Sequence, residues 1–109
     1  MSAQRKRYLQ LASTATEPRS KLFYRLMADV APIVTNMAIK NLNQYGAEVI
    51  YEVVLRAAAS VVTELEFNLT RGGPVDAERV TKDFKLMMDN CIKSQEIGGT
   101  VPVLPKLDA

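Results

Sequence analysis

The stretch Ala47–Thr70, AEVIYEVVLRAAASVVTELEFNLT, constrains the fold more than any other part of this chain. Its polar residues fall mainly in one row, Glu48, Glu52, Arg56, Ser60 and Glu64, each four positions from the last. On a helix that spacing makes a single narrow stripe, and nearly everything off the stripe is apolar through Val62. A helix wet along one strip and apolar elsewhere belongs inside a bundle or between two subunits. At 1.5 Å per residue it would be roughly 36 Å long, against a radius of gyration of roughly 13 Å for a compact domain of about this size. The rest of the chain therefore has to be arranged around it. Val49–Leu55 alone would also suit a β-strand, being rich in Val, Ile and Tyr. The uninterrupted length and the run Ala57-Ala58-Ala59 favour helix.

The flanking segments carry their own signals. Residues 3–12 suit a short helix without an evident cap, and Ser13–Thr16 reads as a linker. A second helix is expected from Pro18, a residue at home in a first turn, with Thr16 as its N-cap. Its apolar face is Leu22, Phe23, Leu26, Met27 and Val30. Pro32 lacks a backbone donor, so the helix either kinks there or restarts. The pattern resumes with Ile33, Val34, Met37, Ala38, Leu42 and Tyr45, and Gly46 is placed to stop it in a left-handed conformation. Arg71-Gly72-Gly73-Pro74 ends the central helix.

The last helix has the best start signal. Asp76 is its expected N-cap, Val75 and Val80 form a hydrophobic staple, and Glu78 favours the positive end of the helix. Its apolar face is Ala77, Val80, Phe84, Met87, Met88, Cys91 and Ile92. Lys85/Asp89 and Asp89/Lys93 stand at i,i+4 spacing on the other side. Gly98-Gly99 is the expected stop, and the tail Thr100–Ala109, with two prolines, is expected to be extended.

The sequence is poor in catalytic equipment. It contains no histidine, which excludes imidazole-activated nucleophiles and imidazole metal sites. The single Cys91 excludes an intramolecular disulfide and a thiolate zinc site from one chain; it is expected to be buried as a small hydrophobe. No phosphate loop is present, since Gly72-Gly73-Pro74 lacks the Lys-Ser/Thr that should follow. Glu48, Glu52 and Glu64 share a stripe and could perturb one another's protonation if buried together. The plainer expectation is a solvated edge with Glu52 paired to Arg56. The methionines Met27, Met37, Met87 and Met88 read as core filling.

Net charge is only +2 but is unevenly distributed. Residues 1–31 carry six Lys/Arg against Glu17 and Asp29, giving +4, while residues 46–70 carry Arg56 against Glu48, Glu52, Glu64 and Glu66, giving −3. Such asymmetry marks either a nucleic-acid arm or complementarity inside a dimer. No apolar run of 18 residues is free of charge, so no membrane span is expected. No secretion signal follows Arg5-Lys6-Arg7, and a cytoplasmic location is expected.

These features lead to an all-α fold: a small helical bundle of about four helices around the long apolar central helix, with an extended C-terminal tail. Residues 1–17 form a basic N-terminal arm, 18–98 the bundle and 99–109 the tail. The expected function is that of a non-enzymatic, cofactor-free regulatory or adaptor protein, a homo-oligomer (a dimer in the first place) that binds a further protein. The candidate oligomer interface is Val49, Ile50, Val53, Val54, Ala57, Val61, Val62 and Leu65, more apolar circumference than a chain of this length readily covers. The candidate partner-binding tail residues are Val101, Val103, Leu104 and Leu107. The alternative is a small nucleic-acid-binding protein whose arm (Arg5, Lys6, Arg7, Tyr8, Arg19, Lys21, Arg25) tracks phosphates while Tyr8 stacks on a base.

Overall fold

The computed structural model describes residues 2–96, and over that range the chain is all-α. Four helices follow in order: α1 (Ala3–Thr14), α2 (Pro18–Tyr45), α3 (Ala47–Leu69) and α4 (Ala77–Glu96), with no strand among the described residues. The fold class read from the sequence is the one the chain adopts, and Val49–Leu55 is helix. The expected Gly98-Gly99 stop and the tail 99–109 lie outside the described residues. Backbone contacts group the chain into two compact units, Met1–Ala58 and Ala59–Ala109, whose boundary falls within α3.

In the first unit α1 lies antiparallel on α2. The link between them is three residues, Ala15–Glu17. α1 does have a cap: the Ser2 hydroxyl accepts the Arg5 N–H at 3.0 Å, satisfying one of the donors that every helix start leaves without a partner. At α2 the N-cap is Glu17 and not Thr16, and it makes no side-chain cap bond. The Glu17 carboxylate instead accepts from the buried Ser20 hydroxyl at 2.9 Å. The α2 face turned to α1 is Ser20, Tyr24, Ala28 and Ala31, all buried, against Ala12 of α1. Three of those four α2 residues are small, which brings the two helix axes close.

Pro32 neither breaks nor restarts α2, which runs through it for 28 residues. A proline inside a helix gives no N–H to the carbonyl four residues earlier, here that of Ala28, a residue only 1% exposed. The Arg5 guanidinium fills the gap: its Nη1 donates to the Ala28 carbonyl at 3.3 Å and also pairs with the Asp29 carboxylate. The docking of α1 and the continuity of α2 thus share one side chain.

α2 meets α3 through Gly46 alone. The Gly46 N–H donates to the Leu42 carbonyl at 2.9 Å and its own carbonyl accepts from the Ile50 N–H at 3.3 Å. One residue therefore closes α2 and opens α3. Its backbone is at φ 83°, ψ 163°, which is not the left-handed stop expected but an extended positive-φ region that only glycine adopts readily. Antiparallel helix pairs use loops of roughly two to five residues, so a single residue makes a corner.

In the second unit α3 ends in a Schellman motif. The Gly72 N–H reaches the Phe67 carbonyl at 3.0 Å and the Arg71 N–H the Asn68 carbonyl at 3.1 Å. Arg71 occupies the left-handed position, φ 55°, which a glycine would fill without strain. α4 then starts as expected: the Asp76 carboxylate accepts the Arg79 N–H at 3.1 Å.

Candidate functional site

No residue of α3 is buried. Of the candidate interface, Val49, Val53, Ala57, Val61 and Leu65 are exposed, with Val61 at 64%, and Ile50, Val54 and Val62 are half-buried. The exposed five recur every fourth residue and form one ridge along the helix. Tyr51, Leu55, Phe67 and Leu69 are also exposed; their large apolar side chains were the signal that this helix would remain open on more than the ridge. Contiguous exposed apolar surface of this kind marks interaction sites.

Two concave places border the helix. In the first unit, at the α2–α3 corner, Met37, Asn41 and Tyr45 face Val49, Ile50 and Val53 around an almost wholly apolar groove of about 230 Å³. In the second unit, Val62, Leu65 and Leu69 of α3 and Val80, Phe84 and Met87 of α4 line a groove of about 200 Å³. Its rim holds an ion-pair network the sequence did not reveal: Arg79 pairs with Glu66 across the two helices and with Asp83 of its own helix at 3.1 Å. The lining of this groove extends along α4 to Met87, and Cys91, one turn further on, is exposed. The expectation that Cys91 is buried is therefore corrected.

The carboxylates Glu48, Glu52 and Glu64 are all exposed. Glu52 and Arg56 do not pair, and of the two expected i,i+4 pairs on α4 only Lys85–Asp89 forms, at 3.2 Å. Among the described residues no three Cys, Asp or Glu side chains gather as a metal site.

The basic residues do not form a loose arm. They sit on α1 and α2, with Arg5 committed to Ala28 and Asp29 and Arg19 beside Glu17 at 3.9 Å. Lys6, Arg7 and Arg25 are exposed, and Tyr8 and Lys21 half-buried. The tail residues Val101, Val103, Leu104 and Leu107 lie outside the described residues.

α2 carries a second apolar face. Leu22, Leu26, Val30 and Ile33 are exposed on the side away from α1. By length and composition alone α2 could also cross a membrane; its Ser20–Ala31 face is taken up by α1, with the Arg5–Asp29 ion pair at its edge. Comparison with protein-family models, with curated proteins and with solved structures finds no match.

Proposed function

We propose that this chain is a non-enzymatic regulatory or adaptor protein that acts as a homo-oligomer and offers its helical faces to other protein. One observation carries the reading. Among the described residues, a 23-residue helix of mean apolar character has no buried residue, and water-exposed apolar area of roughly this kind is stabilised by association at about 25 cal/mol per Å² removed from water. Two-fold association is the commonest way small domains cover such a surface. The basic residues support nucleic-acid binding less well, because Arg5 and Arg19 already face carboxylates and the α1 backbone is held against α2.

Sedimentation equilibrium of the full chain over a wide concentration range tests the reading. A dimer or higher oligomer is expected, with Val53→Asp and Val61→Asp shifting it to monomer while helicity by circular dichroism is kept. A monomer at every concentration would remove the basis of the proposal. A duplex-binding titration at low and moderate salt separates the nucleic-acid alternative: binding that collapses as salt rises and is lost on replacing Lys6 and Arg7 by alanine would put the alternative first.

A further inference from the structure

The outer face of α2 repeats its apolar residues with unusual regularity. Phe23, Leu26, Val30, Ile33 and Met37 recur at alternating three- and four-residue steps, the spacing that brings one edge of a helix against a partner helix. Leu26 is 58% and Ile33 69% exposed. The seam runs directly into the corner groove, because Met37 belongs to both. α1 is on another side of α2, and the one-residue Gly46 link does not let α3 fold back along this seam.

Charge decides what fits. Lys40 stands after Met37 at the end of the seam near Gly46; at the far end Arg19 lies beside the Glu17 carboxylate, and the one carboxylate within α2, Asp29, is taken by Arg5. The first turns of α3 carry the opposite pattern: Val49, Val53 and Ala57 as an exposed apolar ridge with Glu48 and Glu52 beside it. Neither Lys40 nor Glu52 makes an ion pair in its own chain among the described residues.

We infer that the occupant of the α2 seam is α3 of a second copy, and that α2 of that copy receives α3 of the first. This rests on the homo-oligomeric reading above and specifies its contact. α2 runs towards Gly46 and α3 away from it, so with the two Gly46 corners side by side each α2 is antiparallel to the partner's α3. Lys40 and Glu52 each lie six residues from Gly46, so this register sets the Lys40 ammonium opposite the Glu52 carboxylate of the other copy. The contact occurs twice about the two-fold axis, as an isologous interface requires. At 1.5 Å of rise per residue this register brings Val53 level with Met37 and Ala57 level with Ile33, each to within about 3 Å, with Val49 nearer the corner.

Charge reversal on the full chain tests the register, read as the dimer dissociation constant by sedimentation at low and moderate salt. Lys40→Glu and Glu52→Lys are each expected to weaken the dimer about tenfold or more, since each sets like charges opposite one another twice. The double variant is expected to recover most of the loss. Both sites are exposed, so helicity should be unchanged and serves as the folding control. Ile33→Asp, also at an exposed position, is expected to give monomer. A wild-type dimer untouched by all three single substitutions would overturn this contact while leaving homo-oligomerisation standing. Two weakened single variants with no recovery in the double variant would overturn the register. A monomeric wild-type chain would remove both readings.

Discussion

Arg5 offers a sharp test of how α2 survives its internal proline. Arg5→Met keeps most of the aliphatic stem that packs on α2 and removes the guanidinium that serves the Ala28 carbonyl and Asp29. Leaving a buried acceptor without a partner costs about 1–3 kcal/mol. The Asp29 pair adds only about 0.2–1 kcal/mol, because Asp29 is 65% exposed. The 3.3 Å separation is long for a strong hydrogen bond, which favours the lower half of the first range, so the loss should be about 2 kcal/mol. The decisive comparison uses Pro32→Ala. Alanine restores the N–H that the Ala28 carbonyl lacks, and on its own should stabilise the chain by about 1–3 kcal/mol. In that background Arg5→Met should cost under about 1 kcal/mol, the ion-pair share alone. Urea unfolding followed by helicity is the assay, since guanidinium is a salt and would screen the pair. Equal costs for Arg5→Met in the two backgrounds would refute the link between Arg5 and Pro32.

Two other substitutions probe the second unit. Arg71 holds the left-handed position of the α3 stop at φ 55°, so Arg71→Gly should raise stability by about 0.5–1 kcal/mol in urea unfolding, the strain outweighing the entropy of glycine. Arg79→Met should lower it by about 1–2 kcal/mol, between the values for exposed and buried pairs, because Glu66 and Asp83 have only 16% and 18% of their side chains exposed. A double-mutant cycle with Glu66→Gln measures the cross-helix part, and no coupling there would mean the pair is only a surface contact.

The features legible in the sequence are those set within a turn or two. The Asp76 cap, the Arg71–Pro74 break and the helical state of Val49–Leu55 depend on neighbours a few residues away, and local chemistry decides them. The features missed depend on distance. Pro32 looked like a kink or a break, and the loss of the Ala28 partner could be deduced from its position; the donor that compensates stands 23 residues earlier, on a helix whose docking no local pattern encodes. Arg79 and Glu66 are 13 residues apart and meet only because the Schellman turn returns the chain. Cys91 read as core because its helical face is apolar, but periodicity reports which residues share a face and not how far along the helix the cover extends. The residues named as a candidate interface read as an apolar surplus in the sequence, and they are exposed or half-buried in the fold. Which of them stay open was not legible, since that depends on what each helix meets.

Gly46 ties these levels together. Its φ 83°, ψ 163° backbone excludes other residues by conformation and not by crowding, since a Cβ there would meet nothing within 4 Å. A longer linker would let α3 turn back and lay its ridge on the outer seam of α2, with Val53 and Ala57 near Met37 and Ile33 within one chain. A single glycine prevents that while donating to the Leu42 carbonyl at the end of one helix and accepting from the Ile50 amide at the start of the next. An apolar seam on α2 that ends at Lys40 and an apolar ridge on α3 flanked by Glu48 and Glu52 thus lie either side of one glycine. In the proposed dimer the α3 of a second molecule supplies the cover that the corner withholds from the α2 seam.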